Sequence, residues 1–275
     1  MFRSVQSMNN HLHSLNEKVN KDVNTSVTID FEVTKMDEGD WKSVPIIINN
    51  YNRKKYLKKQ ISYLKGNGYE NIYVIDNKSS YQPLLDYYKE QSLKVFYLSD
   101  NVGYLALWQT AVYDHFMDSY YVYTDSDVVP SDSTPSNFIE VFSEILENYT
   151  FLDKVGFSLE IEDLPDEALL TKDIVEHELK FWIYDIDNKF YFSPIDTTFA
   201  LYRPHSKGGW WLNSGRVKKP YIAQHLPWYE GVKPLSEEDR FYYKSINRST
   251  HWSDAAKKST FINRIKSTLK KIIKK

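Results

Sequence analysis

The chain has 275 residues, 41% of them apolar and 26% charged, which is enough apolar matter for a real core and excludes a disordered polymer. With no cysteine and only nine glycines, it excludes disulfides, thiolate zinc sites, cysteine nucleophiles and phosphate loops of the GxGxxG or Walker type. The net charge of −2 is divided unevenly: residues 257–275 carry eight basic side chains and no acidic one, which leaves −10 on the first 254 residues and argues against nucleic acid as the main ligand.

Residues 1–40 are rich in Asn, Ser, Asp and Lys with little periodicity, and read as a weakly ordered arm or an addition to a sheet edge. They contain no apolar stretch of the kind a secretory leader needs, so a cytoplasmic location is expected. Val44-Pro45-Ile46-Ile47-Ile48 is a continuous apolar run suited to a strand buried on both faces. After the polar loop 49–52, Tyr56, Leu57, Ile61 and Leu64 recur at helical spacing, so a helix is expected over 53–65, stopped by Gly66-Asn67-Gly68.

The cycle repeats. Strands are expected over 71–75, 93–98 and 120–123, with helices over 83–88 and 104–116. Strands alternating with helices mean βαβ units and a mainly parallel sheet, an α/β fold resembling the Rossmann arrangement. Ligands of such sheets bind at the carboxyl ends of strands. Here those ends deliver Asn49 and Asn50, Asp76 and Asn77, Asp100 and Asn101, then Asp125 and Asp127. Further on, a helix is expected over 136–148 and strands over 155–159, 180–184, 190–192 and 197–202. The segment 205–234, rich in Trp, Gly, Pro and His, reads as irregular. No apolar run approaches the roughly 18 residues of a membrane span.

Asp125-Ser126-Asp127 places two carboxylates at a strand exit, where they can converge on a hard divalent ion such as Mn²⁺ or Mg²⁺. The same tripeptide is also ordinary turn chemistry.

Taken in order, the segments 44–53, 75–79, 100–103 and 125–127 resemble the nucleotide-sugar-dependent glycosyltransferases of the GT-A fold, in particular bacterial family-2-type members with a DXD motif. The resemblance covers about residues 44–130 well and later parts more loosely. It implies one GT-A domain over 41–254, with a nucleotide half at 41–130 and an acceptor half at 131–254. By that resemblance Asn49 and Tyr51 line the base pocket, with Arg53 in the same nucleotide loop, and Asp76 hydrogen-bonds the base of a UDP-sugar. Asn101 and Gly103 form the turn before the next helix. Asp125 reaches the ribose or a water on the metal, and Asp127 binds the ion. His225 is a candidate third ligand, and Lys233 a partner of the diphosphate, although the spacing around them departs from the family pattern. A carboxylate must deprotonate the acceptor hydroxyl if transfer inverts configuration. Asp196 and Glu160, each at a strand edge, are the favoured candidates, ahead of Glu162 and Asp163. Trp182, Trp210, Trp211 and Trp228 suit stacking on sugar rings as well as core packing. Gly208-Gly209 suggests a mobile loop.

In residues 257–275, Phe261, Ile262, Ile265, Leu269, Ile272 and Ile273 fall on one helical stripe among the basic residues. Such a helix at a terminus reads as attachment to an anionic membrane surface, here the inner face of the cell membrane. The expectation is therefore a peripheral glycosyltransferase of surface polysaccharide synthesis, transferring to a glycan or lipid-linked saccharide. The alternative is a catalytically inactive sugar-nucleotide-binding or scaffold protein.

Overall fold

The computed structural model describes residues 23–165, 171–230 and 235–246. The expected tail at 257–275 and Lys233 therefore lie outside the described residues. The protein is a mixed α/β structure with a mostly parallel central sheet flanked by helices.

Four parallel strands form its first half: β2 (Ile46–Asn50), β3 (Ile72–Asp76), β4 (Lys94–Leu98) and β5 (Tyr121–Asp125). The connecting segments are α1 (Lys54–Gly66), α2 (Gln82–Glu90) and the stretch between β4 and β5. Period-two alternation in each strand sends successive side chains to opposite faces. Ile46, Ile48, Val74 and Val122 meet Leu57, Ile61 and Leu64 of α1 and Leu84 of α2 on one face. Ile47, Tyr73, Ile75, Tyr121 and Tyr123 pack on the other face against Leu105, Trp108, Val112 and Phe116.

The second half adds β6 (Val128–Pro130), α3 (Phe138–Asn148), β7 (Lys154–Leu159), α4 (Thr171–Glu178), β8 (Asp185–Ile186), β9 (Phe190–Phe192), β10 (Ala200–Tyr202), β11 (Ser214–His225) and α5 (Glu237–Ser245). With the short edge strand β1 (Val27–Thr28), the sheet among the described residues runs β1-β4-β3-β2-β5-β10-β7-β11-β9-β8, with β6 paired to β11. β10 is antiparallel to both of its neighbours, β5 and β7. Where β7 meets β10, Gly156 is required by space: a Cβ there would lie 2.3 Å from the Phe199 carbonyl oxygen and 2.8 Å from the Ala200 Cβ. Gly156→Ala is expected to cost about 1–3 kcal/mol and to lower the melting temperature by several degrees, read by thermal denaturation.

Three expectations need correction, while of the two readings of the first forty residues, 23–40 follow the edge addition. Their short strand β1 (Val27–Thr28) pairs with β4, and Phe31 packs edge-on to Phe96 at 5.0 Å. The helix expected over 104–116 is instead a set of turns followed by a 3₁₀ segment at Ala111–His115. Thr110 breaks it, with an extended backbone and a hydroxyl that donates to the Ala106 carbonyl at 2.8 Å and accepts from the Val112 amide. Residues 180–184 are not a strand. A 3₁₀ turn at Leu179–Phe181 continues α4, because Phe181 is used locally against the His177 ring, 5.2 Å away. Finally, the segment read as irregular contains the longest described strand, β11. Pro220 hid it, yet that residue falls where the ladder with β7 shifts between Val217 and Ile222. That shift lets β11 pair with β9 in its first part and with β6 in its last.

Candidate active site at the carboxyl edge of the sheet

Counted in chain order, the parallel strands β4-β3-β2-β5 stand third, second, first and fourth, so the order reverses between β2 and β5. This is the switch point at which open α/β sheets bind ligands. Asn49 and Asp125 are register partners across it.

Side-chain amides tie the strand ends together there. Asn77 donates to the Asn49 side-chain oxygen and to the Gly103 carbonyl at 3.2 Å, and it accepts from the Val102 amide at 3.1 Å. Asn49 donates to the same Gly103 carbonyl at 3.4 Å. Asn101 accepts from the Gly103 amide at 3.0 Å, and Gly103 has φ +88°, a conformation that favours glycine. Asn101 and Gly103 thus shape the turn that Asn49 and Asn77 hold.

The carboxylate pair comes next. Asp125 accepts from the Thr197 hydroxyl at 2.5 Å and donates its amide to the Thr197 carbonyl at 2.9 Å. Burial, then the neighbouring Asp127 charge, push its carboxyl well above the usual range; Asp196 adds to this, against the opposing Thr197 hydroxyl and Asn49 amide. Gln60 of α1 is fully buried and clasps the turn from behind, donating to the carbonyls of Val128 at 2.6 Å and Asp125 at 3.0 Å.

Asp127 faces His225, with 3.6 Å between Oδ2 and Nε2 and side chains 28% and 18% exposed. The meeting is made by strand pairing: His225 is the register partner of Val128 in the β6–β11 ladder, and the Leu226 amide donates to the Asp127 carbonyl at 2.9 Å. A gap of 3.6 Å is too long for a good hydrogen bond. It is near the roughly 3.0–3.4 Å that separates neighbouring donor atoms around an ion with bonds of about 2.1 Å. Asp127 and His225 therefore fit as two ligands of a divalent ion. Asp125 does not complete the set with them, because its carboxylate turns to Thr197; among the described residues no group of three or more acidic or histidine side chains is placed to hold an ion alone.

Asp196 follows β9 and lies within electrostatic reach of Asp125. It is open to water on one side while protein crowds it on the others. That crowding pushes its carboxyl up, and Lys154, the Thr197 amide and Arg216 pull it back. Beneath it lies Lys154, fully buried, with its pKa lowered by burial to about 7 against the raising effect of Asp196. The folded protein then binds fewer protons than the unfolded chain between about pH 7 and the ordinary lysine value, so this group adds stability as pH rises through that window. The stability of wild type relative to Lys154→Met is expected to grow from pH 7 to pH 10. Parallel denaturant titrations at the two pH values check it, and a constant difference would contradict it.

Other expected site residues are engaged elsewhere. Asp76 is buried and turned inward, accepting from the Ser79 amide at 2.7 Å and the Tyr88 hydroxyl at 2.8 Å, so it caps its turn and does not face a base. Glu160 accepts from the amides of Ile161 and Glu162 and pairs with Lys219 at 3.0 Å, which leaves it no role as a free base. Arg53 is buried against Asp239, with its guanidinium over the Tyr242 ring at 3.9 Å. Tyr51 donates to the Ser245 carbonyl at 2.9 Å, and Asn52 to the Ser245 hydroxyl at 3.0 Å. These contacts strap α5 across the loop after β2. Burial raises the Tyr242 hydroxyl to about 12, with Arg53 opposing and Asp127 and Asp125 adding, so the strap faces the carboxylate pair. The signal for α5 was present in the capping box of Ser236 and Asp239.

Of the tryptophans, Trp228 packs on His225 at 4.7 Å and Trp182 stacks on Tyr191 at 5.9 Å. Gly208 and Gly209 are buried, and a Cβ on Gly208 would lie 2.3 Å from the Trp211 ring. The glycines therefore serve close packing rather than the mobile loop expected of them.

In comparison with known proteins, the chain matches no protein-family model and no curated protein at a significant level.

Proposed function

We propose that this protein is a divalent-metal-dependent glycosyltransferase of the GT-A type, moving a sugar from a nucleotide-diphosphate donor, with a UDP-sugar expected, to a glycan or lipid-linked saccharide. The observation that carries the reading is the delivery of His225 to Asp127 just past the switch point, with Asp196 in electrostatic reach of the neighbouring Asp125. Asp127 and His225 would hold Mn²⁺ or Mg²⁺, which when bound neutralises charge on the departing diphosphate. Asp125, held by Thr197, would serve the ribose or a water on the ion.

Asp196 takes the role of base. The acceptor hydroxyl gives its proton to the Asp196 carboxylate as its oxygen bonds to the anomeric carbon, and the bond from that carbon to the diphosphate breaks with the electron pair leaving on the diphosphate. Inversion of configuration follows from this arrangement, and the anomeric coupling in the proton NMR spectrum of the product tests it. No described helix is long and apolar enough to cross a membrane, and attachment to the inner face of the membrane through 257–275 is part of the proposal.

The test is incubation with a panel of sugar nucleotides and Mn²⁺, following release of nucleoside diphosphate. Release from one or a few donors, suppressed by EDTA, is the expected result. Donor binding by calorimetry with no release on any acceptor pool would support the inactive binding protein instead.

A further inference from the structure

We propose that Lys154 is a positioning residue, which from the buried side holds Asp196 and the Gly208-Gly209-Trp210-Trp211 segment in one frame. The inference rests on the glycosyltransferase reading and adds to it a residue that touches no substrate.

Lys154 opens β7, where its neighbours Val155 and Phe157 are ordinary core residues. Its Nζ donates to the carbonyls of Ile195 at 2.7 Å, Gly209 at 2.9 Å and Asp196 at 3.2 Å, and lies 3.1 Å from the Tyr202 hydroxyl. In its charged form the group has three protons and accepts nothing, and with four acceptors around it every proton has a partner. A buried ammonium without a carboxylate in contact is an expensive arrangement that an apolar residue would avoid. Its place is explained by what converges on it. Two separate segments, 195–196 and 209, turn their carbonyls to one buried point, and each would be left unsatisfied without a donor.

The consequence falls on Asp196. Residues 195 and 196 are held by Lys154, and the next residue, Thr197, is held by both the amide and the carboxylate of Asp125. The base is thereby fixed on both sides relative to the end of β5, two residues before the candidate metal ligand Asp127. Gly209, held by the same ammonium, lies against the carboxylate: a Cβ there would sit 3.4 Å from Asp196 Oδ1, at ordinary van der Waals contact. Lys154 thus sets the base, and the glycine against it, to a common origin.

A double-mutant cycle tests this in the intact chain: wild type, Lys154→Met, Asp196→Asn and the double variant, each with kcat, donor KM and melting temperature. Lys154→Met is expected to lower kcat about 10- to 100-fold, as a displacement near 1 Å of a reacting group does, with donor KM within about twofold. The double variant should be no slower than Asp196→Asn alone, because the lysine acts only through that carboxylate. Lys154→Gln keeps two N–H donors and serves if the Met variant does not fold; its kcat should lie between wild type and Asp196→Asn. Losses that multiply in the double variant, or a Lys154→Gln variant at the wild-type rate, would overturn the inference while leaving the glycosyltransferase reading standing. A wild type inactive on every donor of the panel would overturn both.

Discussion

Asp127→Ala is expected to lower turnover by about three orders of magnitude while leaving the fold intact. The side chain is part-exposed and its nearest described polar partner is His225 at 3.6 Å, so removing it breaks no buried bond. What it removes is the carboxylate half of the proposed two-residue metal site. The same variant should lose ion binding directly. At a hundredfold excess of Mn²⁺ over its dissociation constant, wild type should melt roughly 5–10 °C higher than in EDTA, and Asp127→Ala should not respond. Calorimetric melting with and without the ion reads this without any substrate. Near-full activity of the variant, or of wild type in EDTA, would remove the metal from the mechanism.

Arg216→Met is expected to cost about 3–5 kcal/mol of stability, lowering the melting temperature by roughly ten degrees. Arg216 and Glu178 are paired at 2.7 Å with both side chains only 5% exposed. The guanidinium also donates to the Pro194 carbonyl at 2.8 Å and lies over the Phe181 ring at 4.2 Å. Removing the arginine leaves a buried carboxylate without its counter-ion, and that stranded charge supplies most of the loss. Glu178→Gln combined with Arg216→Met should therefore be more stable than Arg216→Met alone. Equilibrium unfolding of the two single variants and the double variant decides it; a double variant that simply sums the single losses would show that the pair acts through packing instead. Because this pair ties α4 to β11 just before the loop carrying Asp196, activity should fall in step with stability.

Much of the first half of the fold was legible in the chain. Apolar runs at Ile46–Asn50 and Ile72–Asp76 and the helical spacing of Leu57, Ile61 and Leu64 are local patterns, and a buried parallel strand or an amphipathic helix needs nothing more to announce itself. The placing of Asn and Asp at strand ends was legible for the same reason. The fate of each polar residue was not. Asp76 and Glu160 satisfy their own turns, Arg53 meets an aspartate at position 239, and none of these partners lies at a spacing that sequence periodicity reports.

What the sequence by itself determined is the alternation of strands and helices and the pair Asp125 and Asp127 at a strand exit, because backbone geometry and side-chain period act over a few residues. Tertiary structure alone decided that β11, bent past Pro220, would set His225 opposite Asp127, and that two distant loops would bring their carbonyls to Lys154. Those meetings depend on strand order and ladder register, which follow from how whole sheet faces bury against one another. No local run of residues carries that information.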